Sequence, residues 1–307
     1  MNDILMTITA ALVTTLMAFG VGMLYGGIVR KLTARVQNRY GPPVHQNFID
    51  LMKLQFKKTN IHHGLMSHLG PVWILTAAVT TLMFIPILHG GMLLPGFSVE
   101  NLTFQGDLIF IIYMMTFGSL GMALGAGETG NPNSAIGVTR GLSLMTGFEI
   151  PFVLALVALM IQYQTTSIVG FMEIQEQTGT WMMFANPFSF IAALMASLGM
   201  FRYSPFDIVG APAELASGPA SEFGGKYLGM MMSGGSIFAF IKLTLYVDIF
   251  MGGAHSIPEL LIKTFALYMV PVFYGWVNPR YRTEQAIQWF YKWPLIFGVM
   301  AILWAIF

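Results

Sequence analysis

A chain of 307 residues that is 55% hydrophobic and 9% charged, with mean hydropathy +0.67, is not a water-soluble globule, which carries roughly 25% charged residues. A net charge of +1 gives no basis for binding nucleic acid. With no cysteine, the chain ligates no Fe–S cluster and performs no thiol or disulfide chemistry of its own.

The expected fold is an all-α polytopic membrane protein, one integral membrane domain over 1–307. A helical span needs about 20 mostly apolar residues. Eight stretches qualify or come close, at roughly 4–29, 70–89, 106–126, 143–165, 186–201, 227–250, 258–278 and 292–307. The first lacks a basic leader and a cleavage pattern, so it reads as a retained span rather than a signal peptide. Pro86 and Pro271 interrupt spans whose freed backbone groups need neighbours. That favours a packed bundle, with the 24 Met and 25 Phe filling lipid-facing and core positions.

Lys and Arg fall in alternate loops: Arg30, Lys31, Arg35, Arg39, Lys53, Lys57 and Lys58, then Arg140, then Arg202 and Lys226, then Arg280, Arg282 and Lys292. The intervening loops 90–105, 166–185 and 251–257 contain none. The positive-inside rule then places the basic loops in the cytoplasm and both termini outside, in the cell membrane. Within 30–68, Phe48, Ile49, Leu51, Met52 and Phe56 gather on one side of a helix, with Asp50, Lys53 and Lys57 on another. This predicts an amphipathic helix at the cytoplasmic interface, serving as a surface anchor, a cavity wall or a docking platform. His62, His63 and His68 follow with no carboxylate or Cys nearby in sequence, and no metal site is expected.

The loop from Gly127 to Gly137 is rich in helix-breaking and capping residues and leads to Arg140 and then to Glu149 inside a span. A carboxylate at mid-membrane costs roughly 2.5–3.5 kcal/mol on insertion scales. Glu149 and Lys242 therefore need a reason, and Asp248 lies near the far end of its span. Glu149, followed by Pro151, could cap or snorkel; Lys242, about fifteen residues into its span, does so less easily. The most charged stretch is 206–226, which carries Asp207, Glu214, Glu222 and Lys226. Together with Glu128, Glu149, Arg140 and Lys242 these groups could form a coupled proton path, because burial and neighbouring cations shift carboxylate affinities in opposite directions. A static network of hydrated salt bridges reads equally from the residues. No catalytic residue is assigned, since no nucleotide loop, nucleophile elbow or metal-spaced cluster occurs in the sequence.

Four motifs, in order over nearly the whole chain, resemble one family: the quinone-site membrane subunit (subunit 1) of respiratory complex I. They are Arg30-Lys31-Leu32-Thr33-Ala34-Arg35-Val36-Gln37-Asn38-Arg39-Tyr40-Gly41-Pro42; Gly127-Glu128-Thr129-Gly130 with Ala135-Ile136-Gly137 and Arg140; Pro205-Phe206-Asp207 with Glu214-Leu215 and Glu222-Phe223-Gly224-Gly225; and Asn278-Pro279-Arg280-Tyr281-Arg282. The resemblance implies a heel subunit that binds a hydrophilic arm and passes redox-driven changes to ion-pumping membrane subunits. Fe–S clusters, and in one branch a NiFe centre, would reside in the large and Fe–S subunits of that arm. Antiporter-like and small membrane subunits, and lipid, would be the other neighbours. By the same resemblance Glu128, Glu149, Asp207, Glu214 and Glu222 belong to a charged funnel, and Arg30, Arg35, Arg39 and Lys53 sit where the arm docks.

The chain departs from the family pattern at three places. Val29 stands where quinone-reducing members usually have Glu, Gly210-Ala211-Pro212-Ala213 lacks a second Glu, and Glu222-Phe223-Gly224-Gly225 replaces a Glu-Tyr-Ser-Gly pattern. Charge is lost where a quinone headgroup would be handled. The pattern is closer to the ferredoxin-driven, energy-converting branch of membrane-bound hydrogenases and sulfane-sulfur reductases. A quinone-reducing complex is the alternative. A stand-alone secondary transporter or channel is the reading of another class, and the two related halves with broken helices that transporters show are missing.

Overall fold

In a computed structural model the chain is described at residues 2–59, 63–90, 92–94, 97–98 and 102–307, with side chains from Thr9 onward outside a short hairpin. His62 lies outside the described residues. Among the described residues twelve helices run α1 Asn2–Val36, α2 Gln46–Phe56, α3 Leu65–Phe84, α4 Asp107–Gly127, α5 Pro132–Tyr163, α6 Ile168–Thr178, α7 Met182–Ala185, α8 Pro187–Phe201, α9 Pro212–Leu215, α10 Gly225–Phe250, α11 Ile257–Val277 and α12 Thr283–Ile306. Two short strands, β1 Met92–Leu94 and β2 Phe97–Ser98, pair antiparallel between α3 and α4.

Seven of these helices (α1, α3, α4, α5, α10, α11 and α12) are long and apolar enough to cross a membrane, and α8 is a shorter apolar helix of 15 residues. All eight expected spans are thus helices, and the chain is a multi-pass membrane protein. The first span continues to Val36 rather than ending near 29, and the second lies at Leu65–Phe84 rather than 70–89, so Pro86 falls beyond the helix end and Pro71 is the proline inside it. Two further boundaries move because polar residues extend a helix beyond its apolar stretch. The span expected from 143 begins at Pro132, since the Asn131 side chain accepts from Asn133 N at 2.8 Å and Pro132 takes the first turn. The span expected from 292 begins at Thr283. Helix α5 is therefore about 48 Å long at 1.5 Å per residue, against a hydrocarbon core of about 30 Å. The loop expected over 166–185 holds α6 and α7.

The amphipathic helix forms as expected, and packs across α1 and α10. Phe48 meets Phe19 edge-on at 6.0 Å, and the buried Asn47 donates to Met23 O at 3.0 Å. Its apolar side is only half covered by protein, leaving Met52 and Phe56 59% and 82% exposed. Such a stripe suits the membrane interface.

Around α5 the helices α12, α8 and α4 assemble; around α10 stand α3, α1, α2 and α11. Helices α3 and α4 approach through small residues, as membrane helices do where dispersion packing drives association. A Cβ at Gly70 would lie 2.7 Å from Gly121 O and 2.9 Å from Gly125 Cα. Gly70→Ala should therefore cost about 1–3 kcal/mol, the usual penalty for overpacking, and lower the unfolding midpoint in detergent. Gly127→Ala, whose Cβ meets nothing within 4 Å, should leave that midpoint in place.

Candidate functional site

One end of the bundle gathers the segments 37–45, 57–59, 63–64, 128–131, 202–224 and 278–282, and there the fold joins charges that are remote in sequence. The 202–224 loop is seated by Phe206, which is fully buried against Phe290, Trp289 and Tyr281 at ring distances of 4.6, 5.0 and 5.8 Å. Tyr281 N donates to Pro205 O at 2.9 Å, and Ser204 Oγ donates to Asn278 O at 2.7 Å. These contacts supply partners for a polar, irregular backbone that lipid could not satisfy.

Arg280 then bridges two carboxylates. Its guanidinium lies 3.0 Å from Asp207 Oδ2 and 3.8 Å from Glu214 Oε1, while Arg140 reaches Glu214 Oε2 at 2.8 Å. Burial raises Asp207 above the usual carboxylate range despite the opposing pull of Arg280 and Arg202. The hydrogen bond from Arg140 holds the exposed Glu214 below that range. Glu222 accepts from Asn131 Nδ2, and its other oxygen lies 3.7 Å from His63 Nε2. Glu128 accepts from Ser67 N at 2.7 Å and so caps the start of α3, where a negative group is favoured.

Deeper in the bundle lies a cavity of about 290 Å³, lined among others by Met115, Ser119, Arg202, Lys242 and Tyr268. Arg202 follows α8 with φ 54°. It keeps accessible surface and lines this cavity. Lys242 Nζ donates to Met200 O at 3.1 Å and lies 5.8 Å from the Phe201 ring centre. A smaller space of about 30 Å³ adjoins, sharing Met115, Ser119, Met200 and Lys242 and adding Glu149. That volume admits about one or two waters, for which at least 10–15 Å³ is needed. Glu149 Oε1 accepts from Thr116 Oγ1 at 2.9 Å. No direct ion pair joins Glu149 and Lys242 among the described residues; they line a common small space whose other walls are mostly apolar.

The central cavity has two approaches. A space of about 20 Å³ links Ser119 and Arg202 to Gly137, Val209 and Pro219 under the charged loops. An open cleft of about 560 Å³ between α1, α2 and α10 shares Gly235, Ala239 and Tyr268 with it and carries Arg30, Asp50, Lys53 and Lys57. Here Arg30 pairs with Asp50 at 3.4 Å.

The fold thus brings together Arg140, Asp207 and Glu214 in one cluster, Glu149 and Lys242 in another, and Arg30 and Lys53 on one cleft. Other expected site residues stay apart. Lys226, at the start of α10, is exposed and makes no ion pair among the described residues. Arg35 stacks on Tyr40 at 4.8 Å, and Arg39 is exposed beyond α1. His63 has a carboxylate neighbour that its own stretch of sequence lacks. No three His, Asp or Glu side chains converge as a metal site among the described residues. Sequence reasoning missed Arg202, Arg280 and Tyr268 as site residues. The Asn278-Pro279-Arg280 turn offered a signal for the second; Arg202 counted only as a topological marker, and its cavity comes from the loop folding inward.

A family model described as NADH dehydrogenase matches residues 8–306. The chain is 28% identical over 310 residues to a subunit of the NADH-quinone oxidoreductase of Aquifex aeolicus (strain VF5), covering 94% of this chain and 91% of that one. It is 31% identical over 238 residues to a component of hydrogenase-4 of Escherichia coli (strain K12), covering 74% and 70%. Among solved structures it is similar to a chain of the membrane-bound sulfane sulfur reductase, an archaeal respiratory membrane complex. There the TM-score is 0.88 at 32% identity, covering 97% of this chain and 99% of that one.

Asp207 should take up its proton at higher pH than an ordinary Asp, and Glu214 at lower pH than an ordinary Glu. Acidification should therefore loosen the Arg280–Asp207 pair before the Arg140–Glu214 pair. Infrared titration of the protein in lipid, with Asp207→Asn and Glu214→Gln to assign the carboxyl bands, measures that order; the reverse order would contradict the geometry.

Proposed function

The chain belongs to the NADH dehydrogenase family, and from that premise we propose that it is the membrane subunit of an ion-translocating redox complex of the hydrogenase or sulfane-reductase kind. In this role it is not catalytic alone. It anchors a hydrophilic arm whose large and Fe–S subunits hold the redox centres, and it couples their turnover to proton or sodium movement through neighbouring antiporter-like and small membrane subunits. The basic loops face the cytoplasm, where Arg30, Arg35, Arg39 and Lys53 meet the arm.

The observation that carries the coupling role is the series of charged side chains along adjoining spaces through the bundle. Asp207, Glu214, Arg140 and Arg280 form a cluster at the loop end, and Arg202 leads inward from it. Lys242 and Glu149 follow across a space that admits water. A redox-linked shift of the 202–224 loop would move Asp207 relative to Arg280 and Arg202, and so change the field on Lys242 and Glu149. Charges buried in a low-dielectric interior respond strongly to such movement. An anchor alone needs neither Glu149 nor Lys242 within spans.

The sulfane-reductase or hydrogenase branch is supported by the loss of acid groups at two motif positions. Val29 is 3% exposed and Ala211 fully buried, so both positions are filled by apolar side chains. The overall likeness to the sulfane sulfur reductase chain points the same way.

Gentle purification from membranes should recover the chain with Fe–S partner subunits. It should also show ferredoxin-driven hydrogen or sulfide production without quinone reduction. Inhibitor-sensitive quinone turnover would restore the quinone-reducing alternative, and recovery as a lone oligomer would favour the transporter. In the complex, Glu149→Gln and Lys242→Met should leave assembly intact but lower coupled ion movement by about 10²-fold, the low end for removing a positioned proton-transfer group. Unchanged coupling in both variants would reduce the chain to an anchor.

A further inference from the structure

At the end of the bundle opposite the charged loops, α10 buries a carboxylate that the coupling path does not use. Asp248 is 1% exposed, and among the described residues neither of its oxygens has a hydrogen-bond partner. Its backbone is held firmly, because Gln175 Nε2 on α6 donates to the carbonyls of Asp248 and Ile249, each at 3.1 Å. Gly252 and Gly253, with φ of 71° and 69°, turn the chain back over the helix end. A Cβ at Gly253 would lie 3.7 Å from Asp248 Oδ1, so this turn roofs the carboxyl.

Lys263 of α11 closes the other side. Its ammonium donates to Met251 O at 3.0 Å and Gly253 O at 2.7 Å, and pairs with Glu259 Oε1 at 2.7 Å. These contacts occupy its three donors, so it acts on Asp248 through its charge. The side chains of Glu259 and Lys263 are 34% and 13% exposed, which grades the set from water to the buried Asp248. At the mouth, Glu259 Oε2 accepts from His255 N at 3.0 Å. The His255 ring meets His89 edge-on at 5.3 Å, and His89 Nε2 lies 2.7 Å from the exposed Glu176. A buried, unpartnered carboxylate must take up a proton or hold a cation. No three acidic or His side chains converge to hold a metal ion among the described residues, so the proton is the better match.

We propose that Asp248 is an exchangeable proton store open to the far side of the membrane, reached from water through Glu259 and Lys263. A proton enters on Glu259; Lys263, on swinging away from one of its two carbonyl acceptors, hands a proton to the Asp248 carboxylate and recovers one from Glu259. One proton moves inward and no other bond changes. Asp248 lies about 9 Å along α10 from Lys242 at 1.5 Å per residue, so a single helix carries both the store and the cation of the central cavity. The proposal deepens the coupling reading above, but its test requires no redox turnover, so the two fail separately.

The test is infrared spectroscopy of the full chain in its native membranes, transferred from H₂O to D₂O. A protonated-carboxyl band should be lost in Asp248→Asn and should shift in D₂O while the wild-type protein stays folded. Glu259→Gln should slow that shift. An unaltered spectrum in Asp248→Asn, or a band that shifts only on unfolding, would overturn the store. If Asp248→Asn does not fold, the Glu259→Gln exchange rate decides: slowed exchange supports the route, and wild-type exchange overturns it.

Discussion

Hydrocarbon satisfies neither a free backbone group nor a charge, and the placement of the 202–224 loop depends on that constraint. The loop contains four residues at positive φ, Arg202, Ala211, Ala216 and Ser217, besides Gly218. It must therefore find partners within the protein or face water. Phe206 resolves this by seating in the aromatic pocket of Tyr281, Trp289 and Phe290, which draws the loop onto the head of α12. Arg202 is thereby left pointing into the central cavity, and Asp207 beside Arg280. The charged cluster and the cavity are consequences of one buried ring.

Charge in the bundle is divided between two ends that work differently. At the loop end, carboxylates are paired with arginines at 2.8–3.8 Å and remain partly exposed. Solvent screening weakens pairs that remain partly exposed, which suits groups that must rearrange. Within the bundle Lys242 leans on a backbone carbonyl and Glu149 on a threonine hydroxyl. Each is satisfied without being locked to the other, and the space between them admits water. At the opposite end Lys263 is fully engaged and Asp248 is not. That contrast separates a cation whose donors are all engaged at rest from a carboxyl with capacity to spare.

Much of the architecture was legible in the residues. Apolar runs located all eight bundle helices, and the Phe48–Phe56 pattern located α2. The boundaries at Pro132 and Thr283 were less legible, since apolarity marks where a helix enters lipid rather than where hydrogen bonding begins. Helices α6 and α7 were missed because they are short and pack against other helices instead of crossing a membrane. Among site residues, Glu149 and Lys242 stood out because charge inside an apolar run is costly. Their common space was invisible, as they lie on different helices.

The amino-acid sequence by itself determined a polytopic helical membrane protein, the alternation of basic loops and the family to which the chain belongs. These depend on composition, local periodicity and short contiguous motifs. Only the tertiary structure decided which charges meet. It gave Asp207 and Glu214 to Arg280, bound Glu128 to the start of α3, left Lys226 exposed and turned Arg202 inward. Such pairings join residues from 61 to 91 positions apart. They are set by how helices pack and loops are seated, a long-range outcome that no local pattern encodes.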